Sequence, residues 1–328
     1  MIQNLLIVTD HTHHSSTNSL YELAVALTNV TGKLNVWVCS RGIKENENFF
    51  KGLPDATIYA ALINNTFSFN SSGLFFNIIT TLDRKIVDAI LVRMPQPLNK
   101  NFLTSLETIV PPEKIINRPE GTIETSSKAF LLTVSHLCPH VTLCMNVKHA
   151  VDLSQEEEIV LKPLYSYGGR GIVRVSKQFY WEGDKRYPVS EFSRMLSEDH
   201  FPMLAMKYLK NVVRGDKRTI VVNRQMLGSA IRFPGPDSWI CNVAQGGHAI
   251  IAQPEEAELM IESELTPLLY QKGVIMYGFD TLVDDNGIRV LSEINTLSIG
   301  GISPMTEMSG KPIMKMTAEL LVRYLEHN

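Results

Sequence analysis

Cysteine is scarce in this chain: four in 328 residues, at Cys39, Cys138, Cys144 and Cys241, with no CxxC pair. That excludes a disulfide framework and suits reduced thiols. Cys138, His140 and Cys144 lie close together, but residues 141–143 between them read as a buried strand, and no second Cys/His pair completes a tetrahedral metal set. Surplus positive charge is missing too. A net charge of −3 and a pI near 6.3 give no global field for a phosphate backbone, which argues against nucleic acid as a partner. No apolar run approaches a membrane span or a signal-peptide core, so no membrane partner is expected and the expected location is the cytoplasm. There is no P-loop, no helix-opening dinucleotide fingerprint and no GxSxG elbow.

What is present is too long for one core and reads as two or three packed modules. The first third alternates apolar strands over 4–9, 34–39, 57–62 and 88–92 with helices over 19–29 and 74–84, the pattern of a parallel α/β layer. Ligands of such sheets bind beyond the carboxyl ends of the strands. The loop from Asp10 through His11, His13 and His14 to Ser16 follows the first strand, and Arg93 follows the fourth. The histidines read as a solvated, substrate-contacting loop rather than a metal site; the planar fork of Arg93 suits a carboxylate or phosphate. A smaller module follows, with a glycine-rich turn at Gly168, Gly169 and Gly171 between two strands and a helix near 190–198. Antiparallel strands over 204–208, 217–223 and 225–232, a helix over 254–272, a hairpin and a closing helix to Glu326 complete the chain.

The hairpin is the most informative element. Asn286-Gly287 favours a two-residue type I′ turn, and counting back from it sets Asp280 opposite Glu293. Asn295 shares the face of Glu293 because alternate strand residues do. Opposed carboxylates repel. Either they are solvated on an exposed face, or a cation sits between them, for which hard oxygen ligands suggest Mg²⁺.

Lys162 ends the strand before the glycine-rich turn, whose backbone N–H groups can fold over phosphate oxygens. Lys128, the segment Gly215-Asp216-Lys217-Arg218 and the acidic hairpin accompany it. Together they suggest a nucleoside triphosphate site, with lysines on the phosphates, metal on carboxylates and arginines left over for a second anionic ligand.

These residues, with Ile116-Asn117-Arg118-Pro119, Ala230-Ile231-Arg232-Phe233-Pro234, Asn242 before Gly246-Gly247, and Gly278-Phe279-Asp280, resemble an ATP-grasp ligase of the bacterial glutathione synthetase type over nearly the whole chain. The resemblance implies a mixed α/β fold with an N-terminal parallel-sheet substrate domain (1–120), a central lid domain (121–200) and a C-terminal antiparallel-sheet catalytic domain (201–328). It implies that Lys128, Lys162, Gly168, Gly169, Asp216 and Asn242 bind ATP and that Lys207, Tyr208 and Leu209 hold adenine. It assigns Asp280, Glu293 and Asn295 to Mg²⁺, with Mn²⁺ as an alternative ion. Arg218 and Arg232 serve catalysis, and Arg93, Arg218 and Ser298 the substrate. The implied chemistry is amide formation through an acyl phosphate, joining glycine to γ-glutamylcysteine, in a homo-oligomer.

Departures fall around the acceptor. The family's lid carries arginines where this chain has Ile240 and His248, and its Val-Thr-Ser-Pro-Thr after the metal asparagine becomes Thr296-Leu297-Ser298-Ile299-Gly300. The alternatives are therefore a ligase acting on another peptide, such as a ribosomally made precursor, and a nucleotide-binding protein without catalysis.

Overall fold

The computed structural model describes residues 2–235, 239–241 and 248–328. Three sheets follow one another along the chain. The first has the order β4-β3-β2-β1-β5-β6, formed by β1 (Asn4–Thr9), β2 (Asn35–Ser40), β3 (Ile58–Leu62), β4 (Thr80–Leu82), β5 (Ala89–Arg93) and β6 (Ile115–Ile116). β1 pairs in parallel with both β2 and β5, so the chain turns one way and then the other about the β1/β5 crevice. β3 and β4 depart from the expected parallel layer: both pair antiparallel. The expected helix over 74–84 is replaced by a short 3-10 turn (Leu74–Asn77), β4 and a second turn (Arg84–Ile86). The β-branched run Ile78-Ile79-Thr80-Thr81 favours a strand, and Phe67, Phe75 and Phe76 pack ring against ring instead of lining a helix face.

The second sheet has the order β11-β10-β9-β8-β12-β7, from β7 (Val141–Cys144), β8 (Ile159–Pro163), β9 (Val173–Val175), β10 (Phe179–Glu182), β11 (Lys185–Pro188) and β12 (Met203–Lys207). Because β12 lies between β8 and β7, this sheet runs past the boundary expected at 200/201. The expected helix near 190–198 shrinks to a 3-10 turn (Val189–Glu191) and one turn of α-helix (Phe192–Met195).

The third sheet is antiparallel throughout, in the order β15-β14-β13-β16-β17: β13 (Asp216–Val222), β14 (Gln225–Phe233), β15 (His248–Ala252), β16 (Met276–Val283) and β17 (Arg289–Asn295). The helix Glu256–Gln271 opens on a capping box between Glu255 and Glu258, which satisfies N-terminal backbone donors. The closing helix Ile313–His327 packs on the helix Leu20–Thr31, so one apolar core runs from the first sheet into the third. Asn117 pins the same junction. Its Oδ1 accepts from the backbone N–H of Ile275 (2.8 Å) and Met276 (2.9 Å), and its Nδ2 donates to the carbonyls of Met276 (2.7 Å) and Thr296 (2.8 Å).

Candidate active site

The third sheet builds the site by register. Arg218 on β13, Asp280 on β16 and Glu293 on β17 stand directly opposite one another, in one row across three strands. One step along, Arg232 on β14 faces Asp216 on β13, two residues from Arg218 and on its face. Two arginines thus flank the acidic residues on this face of the sheet. Arg218 holds both oxygens of Asp280, and Nη2 of Arg232 donates to Asp216 Oδ2 (2.8 Å) and Asp280 Oδ2 (2.9 Å). Lys217, between Asp216 and Arg218, turns to the opposite face and is buried against Glu258 (2.6 Å), so it serves the helix and not the cleft.

The Asp280/Glu293 opposition is present, but the hairpin reaches it by another route. Asp284 N–H bonds Ile288 O at 2.7 Å, and Gly287 has φ +89° while Asn286 is not left-handed, so the loop has three residues and is not type I′. That shifts the register by one, with Thr281 opposite Leu291. A bulge that leaves Ser292 extra restores Asp280 to Glu293.

Protein cations lie against both members of this opposed pair. Asp280 is 1 % exposed; its Oδ1 accepts from Arg218 Nε, and its Oδ2 from Arg218, Arg232 and, at 3.3 Å, Asn295 Nδ2. Lys128 Nζ pairs with Glu293 Oε1 at 3.2 Å and also donates to Ser166 O. Burial pushes the Asp280 carboxyl up, but the two guanidiniums outweigh it and hold it well below the ordinary carboxylate range. Burial instead dominates at Asp216, raising it to about 6 against the pull of Arg232 and with the push of Asp280. For Mg²⁺ the chemistry fits at Glu293 and Asn295, a carboxylate and an amide where two clefts meet. Asp280 adjoins both, opposite Glu293 across the strands and bonded to Asn295, while Arg218 and Arg232 pair with its carboxylate.

The larger cleft, about 350 Å³, lies between the second and third sheets. It gathers Lys162, Gly168, Gly169, Lys207, Tyr208, Leu209, Asp216, Arg218, Arg232, Glu293, Asn295 and Ser298. Lys162 is buried, donating to Ser292 O at 3.1 Å; burial lowers its pKa against the opposing pull of Glu293. Gly168, Gly169 and Gly171 all have positive φ, which explains three glycines in one turn. Side chains of Val160, Ile172, Met206, Leu209 and Leu282 make one end apolar, and the arginines make the other polar.

The smaller cleft, about 210 Å³, opens at the β1/β5 crevice and shares Tyr167, Glu293, Asn295 and Ser298 with the larger one. The loops after β1 and β5 supply Asp10, His14, Asn18 and Gln96. The histidine loop is built and hydrogen-bonded: Asp10 caps it through Thr12 and pairs with Arg41 (2.8 Å), and the His14 ring meets Tyr21 Oη (3.1 Å) and Thr9 Oγ1 (3.3 Å).

Arg93 does not reach either cleft. It shares the face of Ala89 and Leu91, which the third module covers, and it is buried with Nη2 on Ile299 O at 2.8 Å. Ile299 is accordingly a core residue, 1 % exposed. Asn242 and Gly246-Gly247 lie outside the described residues. Sequence reasoning missed Gln96 and Trp239. Gln96 Oε1 accepts from Leu98 N–H at 3.0 Å, which leaves its Nε2 shielded and unpartnered among the described residues; its only advance sign was its place just after a strand end.

Residues 127–310, more than half of the chain, match the family described as prokaryotic glutathione synthetase, ATP-grasp domain. The chain belongs to that family. It is an ATP-grasp ligase. Relatives include the glutathione synthetases of Prochlorococcus marinus subsp. pastoris, 27% identical over 73% of this chain and 76% of that protein, and of Brucella melitensis biotype 1, 28% identical over 69% and 70%. Among solved structures, the VanG D-Ala:D-Ser ligase of Enterococcus faecalis superposes with a TM-score of 0.65 at 12% identity, covering 99% of this chain and 100% of that one. The macrocyclase MdnC of Microcystis aeruginosa, bound to its precursor peptide, gives 0.61 at 16% over 97% and 99%. At these identities the structures show a shared ATP-grasp fold. Ligases of this fold bind ATP and Mg²⁺. No helix among the described residues is long and apolar enough to cross a membrane.

Proposed function

We propose that this ATP-grasp ligase is a glutathione synthase, joining γ-glutamylcysteine to glycine with conversion of ATP to ADP and phosphate. The observation that carries this reading is the meeting of the two clefts at Glu293 and Asn295, which brings a substrate in the smaller cleft against the polar end of the larger. The curated relatives supply the substrate pair.

The carboxylate of γ-glutamylcysteine attacks the γ-phosphorus of ATP, ADP departs, and the amine of glycine then displaces phosphate from the acyl phosphate. No protein nucleophile is needed. Lys128 and Lys162 hold the transferring phosphoryl group, and Arg232 offsets charge growing on it and on the tetrahedral intermediate. Arg218 receives the substrate carboxylate side of the junction, while Lys207, Tyr208 and Leu209 take the adenine. Asp280, Glu293 and Asn295 would hold Mg²⁺, with Mn²⁺ as substitute; the ion would neutralise phosphate charge when bound. The free cysteines suit the reducing cytoplasm, where we place the reaction.

One observation favours a second reading, a ligase for a different peptide: Ile240 stands in the larger cleft, beside Gly169, where the family has a cation. The test is Mg²⁺-dependent phosphate release with γ-glutamylcysteine alone and with glycine, the product identified by mass. Release requiring both, and its near-complete loss in a folded Glu293→Gln variant, is expected. Nucleotide binding without release would move the reading to another carboxylate substrate; retention of the wild-type rate by Glu293→Gln would remove Glu293 from the metal site.

A further inference from the structure

The larger cleft has a residue that neither the family pattern nor the sequence motifs single out. Trp239 lies on its wall, one position before Ile240. Asp216, Arg218, Arg232 and Glu293 cluster on the third sheet with Lys162 beside them, so phosphates belong there and the base belongs by Tyr208. Trp239 docks beside Tyr208. Its Nε1–H donates to the Gly183 carbonyl, in the turn between β10 and β11, at 2.8 Å, and its ring stands edge-on to Tyr208 with centroids 6.2 Å apart at 77°.

The partner surface is held in place on its other side. The Arg174 guanidinium lies 3.8 Å from the Tyr208 ring centroid and 4.3 Å from that of Trp181, and its Nε is 2.6 Å from Glu158. Such cation–π contacts, with an ion pair on the same guanidinium, fix the ring that Trp239 meets. Trp239 is thus pinned to the second sheet beside Tyr208, through one hydrogen bond and one aromatic edge.

We propose that Trp239 forms the outer wall of the nucleobase end of the cleft and strengthens binding of an adenine nucleotide by closing that wall against Tyr208. The proposal rests on the nucleotide reading of the cleft, and its test separates the two. The chain has three tryptophans, so Trp37→Phe with Trp181→Phe leaves Trp239 as the sole indole emitter. The probe is the non-hydrolysable ATP analogue adenylyl imidodiphosphate with Mg²⁺, titrated by calorimetry and by fluorescence. Emission of the single-tryptophan protein is expected to change saturably at the calorimetric Kd. Trp239→Ala is expected to raise that Kd about fivefold, and Trp239→Phe, which keeps a ring, less than twofold. Wild-type affinity in Trp239→Ala, or unchanged emission at calorimetric saturation, would overturn the role of Trp239 while leaving the nucleotide site intact. No calorimetric binding to the wild type would overturn both.

Discussion

Arg218 grips Asp280 with both arms of its fork, Nε to Oδ1 at 2.7 Å and Nη2 to Oδ2 at 2.6 Å. The two face each other across β13 and β16, so the pair follows from strand register and needs no loop to assemble it. A bidentate ion pair with one member almost fully buried is costly to break from one side, because the remaining charge stays in the interior.

Arg218→Ala is therefore expected to destabilise the fold by about 3 kcal/mol, at the lower end for a broken buried pair because Arg232 still touches Asp280. Arg218→Lys keeps the charge but loses the fork, and should fall between. Urea midpoints at pH 7 measure both. In turnover, Arg218→Ala should raise KM for the carboxylate substrate more than for ATP; the reverse order would assign Arg218 to the nucleotide.

Gln96 offers an amide N–H₂ without a partner among the described residues at the wall of the smaller cleft. Gln96→Glu preserves the acceptor held by Leu98 and replaces the donor with an oxygen. If a substrate oxygen accepts from Gln96, this variant should raise KM for γ-glutamylcysteine about tenfold and leave KM for ATP unchanged, as expected for losing one charge-assisted bond. Equal KM values in variant and wild type would take Gln96 out of the substrate site.

Asp216 gives a stability signature in pH. Its folded pKa of about 6 lies above the unfolded value near 4, so between those limits the native state binds more protons than the unfolded one. Stability from this group is full below pH 4 and is lost as pH rises to 6, by at most about 3 kcal/mol. Asp280 has the opposite sign: its depressed pKa contributes above pH 4 and is lost on acidification. Asp216→Asn should remove the decline between pH 4 and 6. Denaturation midpoints at pH 4.5 and 7 compared with the wild type measure this, and parallel pH profiles would refute the assignment.

Much of the architecture was legible because it follows periodicity. The expected strand over 4–9 is β1, and the helix over 254–272 differs from Glu256–Gln271 by at most two residues at either end. The Asp280/Glu293 opposition was also legible, although two deviations had to cancel, a three-residue loop and a bulge at Ser292. The two-residue turn stands instead at Asn223-Arg224, where both residues have positive φ and Val222 pairs with Gln225. No Asn-Gly marks that turn; its Arg224 lies 3.9 Å over the Tyr270 ring, a long-range contact that a local pattern does not show. Arg93 was misplaced for a related reason. A strand end predicts an open crevice, but side-chain parity gave this arginine to the face covered by Met276 and Ile299, 183 and 206 residues away, which no local pattern reveals.

Asn117 is the sharpest case of such a long-range dependence. Its side chain satisfies four buried backbone groups, on Ile275, Met276 and Thr296, and Thr296 follows the candidate metal ligand Asn295 directly. Asn117→Ala would strand two N–H donors and two carbonyls at the junction of the first and third modules. An unsatisfied buried group costs about 1–3 kcal/mol, and partial relief by entering water brings the expected total to about 4 kcal/mol. The same loss should loosen the end of β17 and lower kcat more than it alters nucleotide affinity, since the base end of the cleft is built from other strands. Calorimetric unfolding and nucleotide titration of the variant separate these effects. A variant with wild-type melting temperature would mean that the junction is held by the shared apolar core alone.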